Sequence, residues 1–205
     1  MERLICVLVG YVFGLIQTGY IYGKKNGVDL RKKGSGNAGT TNALRTMGWK
    51  AGAVTLLGDC FKCVAAVVVV HLIYGKTHTD MMPLLSMYAG MGAVLGHNYP
   101  FYLKFKGGKG IAVMIGMTAA MAFSMDIRLA IPNALIGFGM AFATRYVSVG
   151  SLLFALTLPI SAYLLGFPRE MLYLTIFVSA MAFWRHRGNI KKLLNGTENK
   201  FGSKK

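Results

Sequence analysis

Four polar stretches in this chain combine residue types suited to gripping an anion. The first is Ser35-Gly-Asn-Ala-Gly-Thr-Thr-Asn42, followed by Arg45. Its glycines let the backbone turn and expose N–H groups, its serine, threonine and asparagine side chains add donors, and arginine offers a planar fork matched to phosphate. If Thr40 or Thr41 caps a helix, Arg45 lies one turn inside it, and a helix N-terminus of that kind favours negative charge. The second stretch joins Gly96-His-Asn-Tyr-Pro100 to Lys104-Phe-Lys-Gly-Gly-Lys-Gly110. There His97 is brought to a polar boundary, Pro100 stops a helix, and lysines alternate with glycines as in a phosphate cradle. It is not a Walker A loop, because GxxxxGK[ST] is absent. A third, weaker stretch runs from Arg145 through Ser148 to Ser151, where either serine could simply cap a helix. The fourth is Trp184-Arg-His-Arg-Gly-Asn-Ile-Lys-Lys192, continuing to Asn195-Gly-Thr-Glu198.

The elements that must hold these stretches are apolar. Runs at about 4–22, 51–73, 81–99, 111–125, 129–143, 150–166 and 170–184 approach the ~20 residues that cross a bilayer, and several are short for it. The break Ser124-Met-Asp-Ile-Arg128, with Pro132 beyond, divides 111–143 into two short helices. The expectation is an all-α membrane protein of seven transmembrane helices, a single domain over 1–205 with no internal repeat. The N-terminus begins with one acid and one base and has no clear cleavage site, so it reads as a retained first span.

Hydrophobic residues make up 54% of the 205, and 23 Lys and Arg stand against 7 Asp and Glu, for a formal charge of +16. Cations gathered in blocks between apolar runs fit the positive-inside rule better than a nucleic-acid face. Lys24, Lys25, Arg31, Lys32, Lys33, Arg45 and Lys50 share a side with Lys104, Lys106, Lys109, Arg145 and the tail cations Arg185, Arg187, Lys191, Lys192, Lys200, Lys204 and Lys205. Only Arg3, Lys76, Arg128 and Arg169 lie opposite. The bias puts the N-terminus outside and the C-terminus in the cytoplasm. Cys6, Cys60 and Cys63 are read as plain helix cysteines, since the CxxC spacing has no second pair or nearby histidine to complete a zinc set. Asp59 and Lys62 fall inside the second apolar run, where charge is costly and usually paired, and their i,i+3 spacing permits a pair on one face.

Taken in order, these pieces closely resemble the bacterial acyl-phosphate:glycerol-3-phosphate acyltransferase family, the PlsY family. The matching segments are Gly34 to Arg45, Gly96 to Pro100 with Phe105 to Gly110, the Ser148 region, and Arg185 to Glu198. Two departures stand out. The family often has Asp-x-x-Lys-Gly where this chain has Asp59-Cys-Phe-Lys62-Cys63, and serine where this chain has Gly188.

The resemblance implies a reaction: a fatty acyl group moves from acyl phosphate to glycerol 3-phosphate, giving lysophosphatidic acid and inorganic phosphate, in the bacterial inner membrane with the site facing the cytoplasm. No cofactor or metal is implied, and the chain is small enough to act as a monomer. Such a donor is already activated, so the protein must align the reactants and stabilise developing charge. On this reading Ser35, Asn37, Thr41, Asn42 and Arg45 bind phosphate and acceptor. Lys104 and Lys109, with Lys106, neutralise phosphate charge, and Ser148 donates a hydrogen bond. His186, Asn189 and Lys192 close the pocket, and Asp59 and Glu198 orient neighbouring groups. Ser35, Arg45, His97, Lys104 and Asp59 are the expected catalytic set. Either His97 or substrate phosphate accepts the hydroxyl proton; a Ser–His acyl-enzyme has no nucleophile elbow to support it. The alternative class is a membrane transporter of an organic phosphate, though no inverted repeat is evident.

Overall fold

A computed structural model describes residues 1–202, apart from the side chains of 123 and 124. The side chain of Ser124 and the tail cations Lys204 and Lys205 therefore lie outside the described residues. Every regular element among those described is helical, and the chain divides into two compact units, Met1–Ser124 and Met125–Lys205.

In the first unit, α1 (Glu2–Gly14) and α2 (Thr18–Lys25) form one apolar segment interrupted at residues 15–17. A short helix, α3 (Thr40–Met47), leads through Gly48, in the left-handed region at φ +86°, into α4 (Trp49–Tyr74). The 26 residues of α4 span about 39 Å. α5 (Met82–Asn98) starts with a proline in its first turn, where the missing N–H is harmless, and ends before Pro100. α6 (Ile111–Ser124) follows the glycine-rich loop. α1 packs directly on α5 because both carry small residues. A Cβ at Gly10 or Gly14 would strike the α5 backbone, and one at Gly92 or Gly96 would strike that of α1. Beside this contact Cys6, Val67, Val70, Leu85 and Ala89 form a buried apolar cluster. The three cysteines are unbridged, and Cys60 Sγ donates to Ala112 O.

The second unit holds α7 (Ile127–Thr144), α8 (Val147–Leu164) and α9 (Arg169–Leu194). Asp126 caps α7 by accepting from Arg128 N at 2.8 Å. The break read at 124–128 separates α6 from α7, which extends slightly beyond the run at 129–143 and carries Pro132 inside it. Phe154, Leu158, Met171 and Val178 fill the core, and buried Asn133 donates to Ser161 Oγ at 3.2 Å.

Four helical stretches are long and apolar enough to cross a membrane: Glu2–Lys25, Trp49–Tyr74, Ile127–Thr144 and Val147–Leu164. Leu57, Phe61, Leu72, Leu135 and Phe142 lie exposed on them.

Candidate active site

The first polar stretch is a loop shaped around one amide. Asn42 is buried, and its Nδ2 donates to Leu30 O (2.9 Å), Lys33 O (3.0 Å) and Asn37 O (2.8 Å), while Oδ1 accepts from Ser35 N at 2.9 Å. Here the Asn42 amide is engaged by the loop backbone. Gly39, not a threonine, is the N-cap of α3. Thr40 Oγ1 is buried with no hydrogen-bond partner among the described residues, and Arg45 lies exposed in the last turn. Ser35 is exposed, while Asn37 and Thr41 are half-buried. Arg31 is held by Asp29, with Nε 3.0 Å from Oδ1 and Nη2 2.8 Å from Oδ2, and its guanidinium lies 4.6 Å from the Tyr20 ring centre. The same guanidinium pushes the Asp29 carboxyl down from 3.8 to about 2.

The second stretch leaves α5 and folds back over its end. Gly107 N donates to Asn98 O (3.2 Å) and Gly108 N to His97 O (3.1 Å), so a Cβ on Gly108 would fall on the His97 ring. Lys104 and Phe105 both hold left-handed backbone angles, φ 55° and 59°, a conformation non-glycine residues rarely adopt. Lys104 and Lys106 are exposed and Lys109 is half-buried.

His97 is itself buried, and its Nδ1 lies 2.9 Å from Lys62 Nζ. Lys62 also donates to Asp59 Oδ1 at 2.8 Å and to Ile16 O at 2.6 Å. An ammonium has three N–H groups, and here each meets an acceptor. With Lys62 as the donor to His97, Nδ1 is the accepting nitrogen and Nε2 carries the proton of the neutral ring. A ring in that form has no free lone pair for a hydroxyl proton, which weighs toward substrate phosphate, the other acceptor expected. Asp59 is equally engaged, accepting also from Thr18 Oγ1 at 3.1 Å. The residues that sequence reasoning missed here are Gln17 and Thr18. Their signal was two adjacent polar side chains within the first apolar run.

In the second unit, Ser148 is the second residue of α8. Its Oγ is buried, caps nothing and has no partner among the described residues. His186, buried on α9, has Nδ1 2.8 Å from Ala182 O. A carbonyl only accepts, so this Nδ1 carries the hydrogen and Nε2 is the basic nitrogen of the neutral ring. One turn on, Asn189 Nδ2 donates to Glu198 Oε1 at 3.0 Å, and Glu198 Oε2 is buried without a partner among the described residues. Lys192 is exposed in the last turn of α9. Arg145, left-handed at φ 60°, donates through Nη2 to Phe201 O at 3.1 Å and accepts from Phe201 N at 2.6 Å. This clasp ties the segment carrying Glu198 to the start of α8.

Known proteins resemble this chain along nearly its whole length. A sequence profile described as Glycerol-3-phosphate acyltransferase matches residues 4–196. The protein of that name from Shouchella clausii is 42% identical over 97% of this chain and 95% of its own length. Two crystal structures of PlsY, an integral membrane glycerol 3-phosphate acyltransferase, share the fold. Its glycerol 3-phosphate form aligns with a TM-score of 0.86 at 33% identity, covering 98% of this chain and 96% of that one. Its lysophosphatidic acid form aligns at 0.83 and 32%, with the same coverage. The chain belongs to the glycerol-3-phosphate acyltransferase family.

Proposed function

We propose that this protein transfers a fatty acyl group from acyl phosphate to the 1-hydroxyl of glycerol 3-phosphate. The hydroxyl oxygen bonds to the acyl carbon, the acyl–phosphate C–O bond breaks, and lysophosphatidic acid and inorganic phosphate leave. The proton passes from the hydroxyl to the departing phosphate, a route favoured by the engagement of His97 Nδ1 with Lys62. No covalent intermediate with the protein is required, because the mixed anhydride is already activated.

Arg45, Lys104, Lys106 and Lys109 neutralise phosphate charge, with N–H groups of the glycine-rich loop as further donors. Ser35, Asn37 and Thr41 hold the acceptor. Ser148, His186, Asn189 and Lys192 add hydrogen bonds and charge, and Glu198 orients Asn189. Asn42 and Asp59 act indirectly, by holding the loop and the buried lysine. The fatty chain lies among the apolar helices. These residues serve one catalytic domain, a reading supported by a family profile that runs through both compact units.

We further place the chain in the bacterial inner membrane with seven spans, the N-terminus outside and the polar stretches on the cytoplasmic side. The concentration of Lys and Arg at one set of helix ends supports that orientation. α5 and α6, short for a full crossing, leave room for the glycine-rich loop to enter the membrane plane. A monomer suffices.

The observation that carries this reading is the ordered set of anion-binding stretches in a chain that matches its relatives end to end. The test is acyl transfer by purified protein in detergent, with palmitoyl phosphate and radiolabelled glycerol 3-phosphate, and palmitoyl-CoA as parallel donor. Lysophosphatidic acid from acyl phosphate alone is the expected result. No product from either donor, in a folded sample, removes the enzyme reading and leaves transport of an organic phosphate as its replacement.

A further inference from the structure

Where α1 gives way to α2, three successive carbonyls lack helical partners, and each is met by a side chain. Gly14 O accepts from Gln17 Nε2 at 3.2 Å, Leu15 O from the Tyr102 hydroxyl at 2.7 Å, and Ile16 O from Lys62 Nζ at 2.6 Å. Unsatisfied backbone within an apolar surround costs several kcal/mol per group, on the order of a lost hydrogen bond or more. The break in the first apolar segment is therefore held open by its own Gln17 and by Tyr102 and Lys62 from elsewhere in the unit.

Lys62 sits near the midpoint of α4 with its side chain 2% exposed; those of Asp59 and His97 are 1% and 3% exposed. Ile16 O, Asp59 Oδ1 and His97 Nδ1 surround its Nζ at 2.6, 2.8 and 2.9 Å, one partner for each N–H of an ammonium. Removing two charges from water costs more than an apolar filler of the same volume. A helix that needed only packing here would be better served by methionine or leucine. What the lysine supplies, and an apolar residue cannot, is a fixed donor to His97 Nδ1.

The consequence of that donor reaches the glycine-rich loop. The His97 carbonyl is bracketed by Gln17 Nε2 at 3.1 Å and Gly108 N at 3.1 Å, and the ring lies where a Gly108 side chain would be. Ring and carbonyl together form the seat on which Gly107 and Gly108 rest. Lys106 and Lys109 flank that pair directly.

We propose that Lys62 is a positioning residue: by donating to His97 Nδ1 it fixes the ring as its Nε2–H form and so sets the seat of the loop that carries Lys106 and Lys109. The inference rests on the acyltransferase reading for its effect on turnover, and on geometry alone for its effect on His97. Lys62 touches no reacting atom in this account.

Two measurements test it. Nitrogen-15 spectra of the histidine-labelled wild-type protein in detergent, with His97 assigned by its loss in His97→Gln, report the tautomer without any change to the charged network. The expected form is neutral with hydrogen on Nε2; hydrogen on Nδ1 overturns the proposal. The second measurement uses Asp59→Asn/Lys62→Met, which removes both charges together so that neither is left buried alone. The expected result is a mixed His97 tautomer and a KM for glycerol 3-phosphate raised about tenfold, equivalent to about 1.4 kcal/mol of binding, with a smaller change in kcat. A folded double variant with the wild-type tautomer and KM overturns the proposal, as does a fall in kcat alone that tracks the folded fraction. A wild-type protein that gives the Nε2–H signature but makes no product overturns the acyltransferase reading while the Lys62–His97 link stands.

Discussion

Two histidines, one in each compact unit, are buried to a similar degree and wired in opposite senses. His97 accepts at Nδ1 from Lys62, within a cluster where the ammonium, the Asp59 carboxylate and the neighbouring carbonyls satisfy one another. His186 donates from Nδ1 to Ala182 O, on a helix that also carries Asn189, the partner of Glu198. Buried side-chain atoms with no partner among the described residues occur in both units, among them Gln17 Oε1, Thr40 Oγ1 and the Asn98 amide in the first and Ser148 Oγ and Glu198 Oε2 in the second. A saturated polar cluster holds shape, whereas unpartnered buried oxygens incur a desolvation cost that folding alone does not recover. The Lys62 cluster is satisfied within the protein, whereas Ser148 Oγ and Glu198 Oε2 are not.

The strongest way to break this contrast is to unbalance the first cluster. Lys62→Ala or Asp59→Ala leaves a lone buried charge and is expected to cost about 3–5 kcal/mol, read as loss of monodisperse protein and a lowered thermal midpoint in detergent. The neutral double variant Asp59→Asn/Lys62→Met is expected to recover most of that. A single variant as stable as wild type would show that the cluster is not a closed network.

The next test sets Asn42 against Ser148. Asn42→Ala strands three carbonyls and the Ser35 N–H and is expected to lower stability by about 2 kcal/mol. Ser148→Ala removes an oxygen with no protein partner, so stability should stay within about 0.5 kcal/mol while turnover falls about tenfold or more. Thermal unfolding and acyl-transfer assays run on the same samples separate the two effects. Equal stability losses for both variants would erase the distinction drawn between the two regions.

Much of this was legible from residue types and spacing. Apolar runs located the helices, because burial in lipid or core demands continuous apolar surface, and Pro100 marked a real end. Pro132 lies inside α7, where a proline loses one backbone hydrogen bond and packing holds the rest. The Asp59–Lys62 pair could be read from its i,i+3 spacing. Its third member could not, since His97 comes from another helix and only the fold brings it to Lys62. Asn42 and Asn37 look alike in sequence, both small amides in a glycine-rich loop. What separates them is which one the chain wraps around, and that depends on the placement of the Leu30, Lys33 and Asn37 carbonyls.

Gly188 offers a smaller effect on the second unit. It lies within α9 at ordinary backbone angles, and a Cβ there would meet nothing within 4 Å. Gly188→Ala should therefore raise stability by about 0.5–1 kcal/mol through backbone entropy alone. A lowered thermal midpoint would show that this part of α9 is packed more closely than the structure has it.

The smallest effect concerns a motif that the two units share. Asp29-Leu-Arg31 and Asp126-Ile-Arg128 each place an aspartate before a helical turn, accept from the arginine N–H two residues on, and receive its guanidinium in return. The guanidinium lowers both carboxyls, that of Asp29 to about 2. A carboxyl lowered in the folded state adds stability that is fully present above its ordinary value of 3.8, and that stability is lost as pH falls toward about 2. Both pairs are open to water, so the contribution is slight, and losing one partner strands no buried charge as it does at Asp59–Lys62. Asp29→Asn keeps an acceptor for the Arg31 N–H and removes only the ion pair. Its thermal midpoint should sit slightly below wild type near neutral pH and converge with it as acid protonates Asp29. A gap that persisted at low pH would assign the difference to the loop's hydrogen bonds, and the ionic distinction between surface and buried pairs would lose its support.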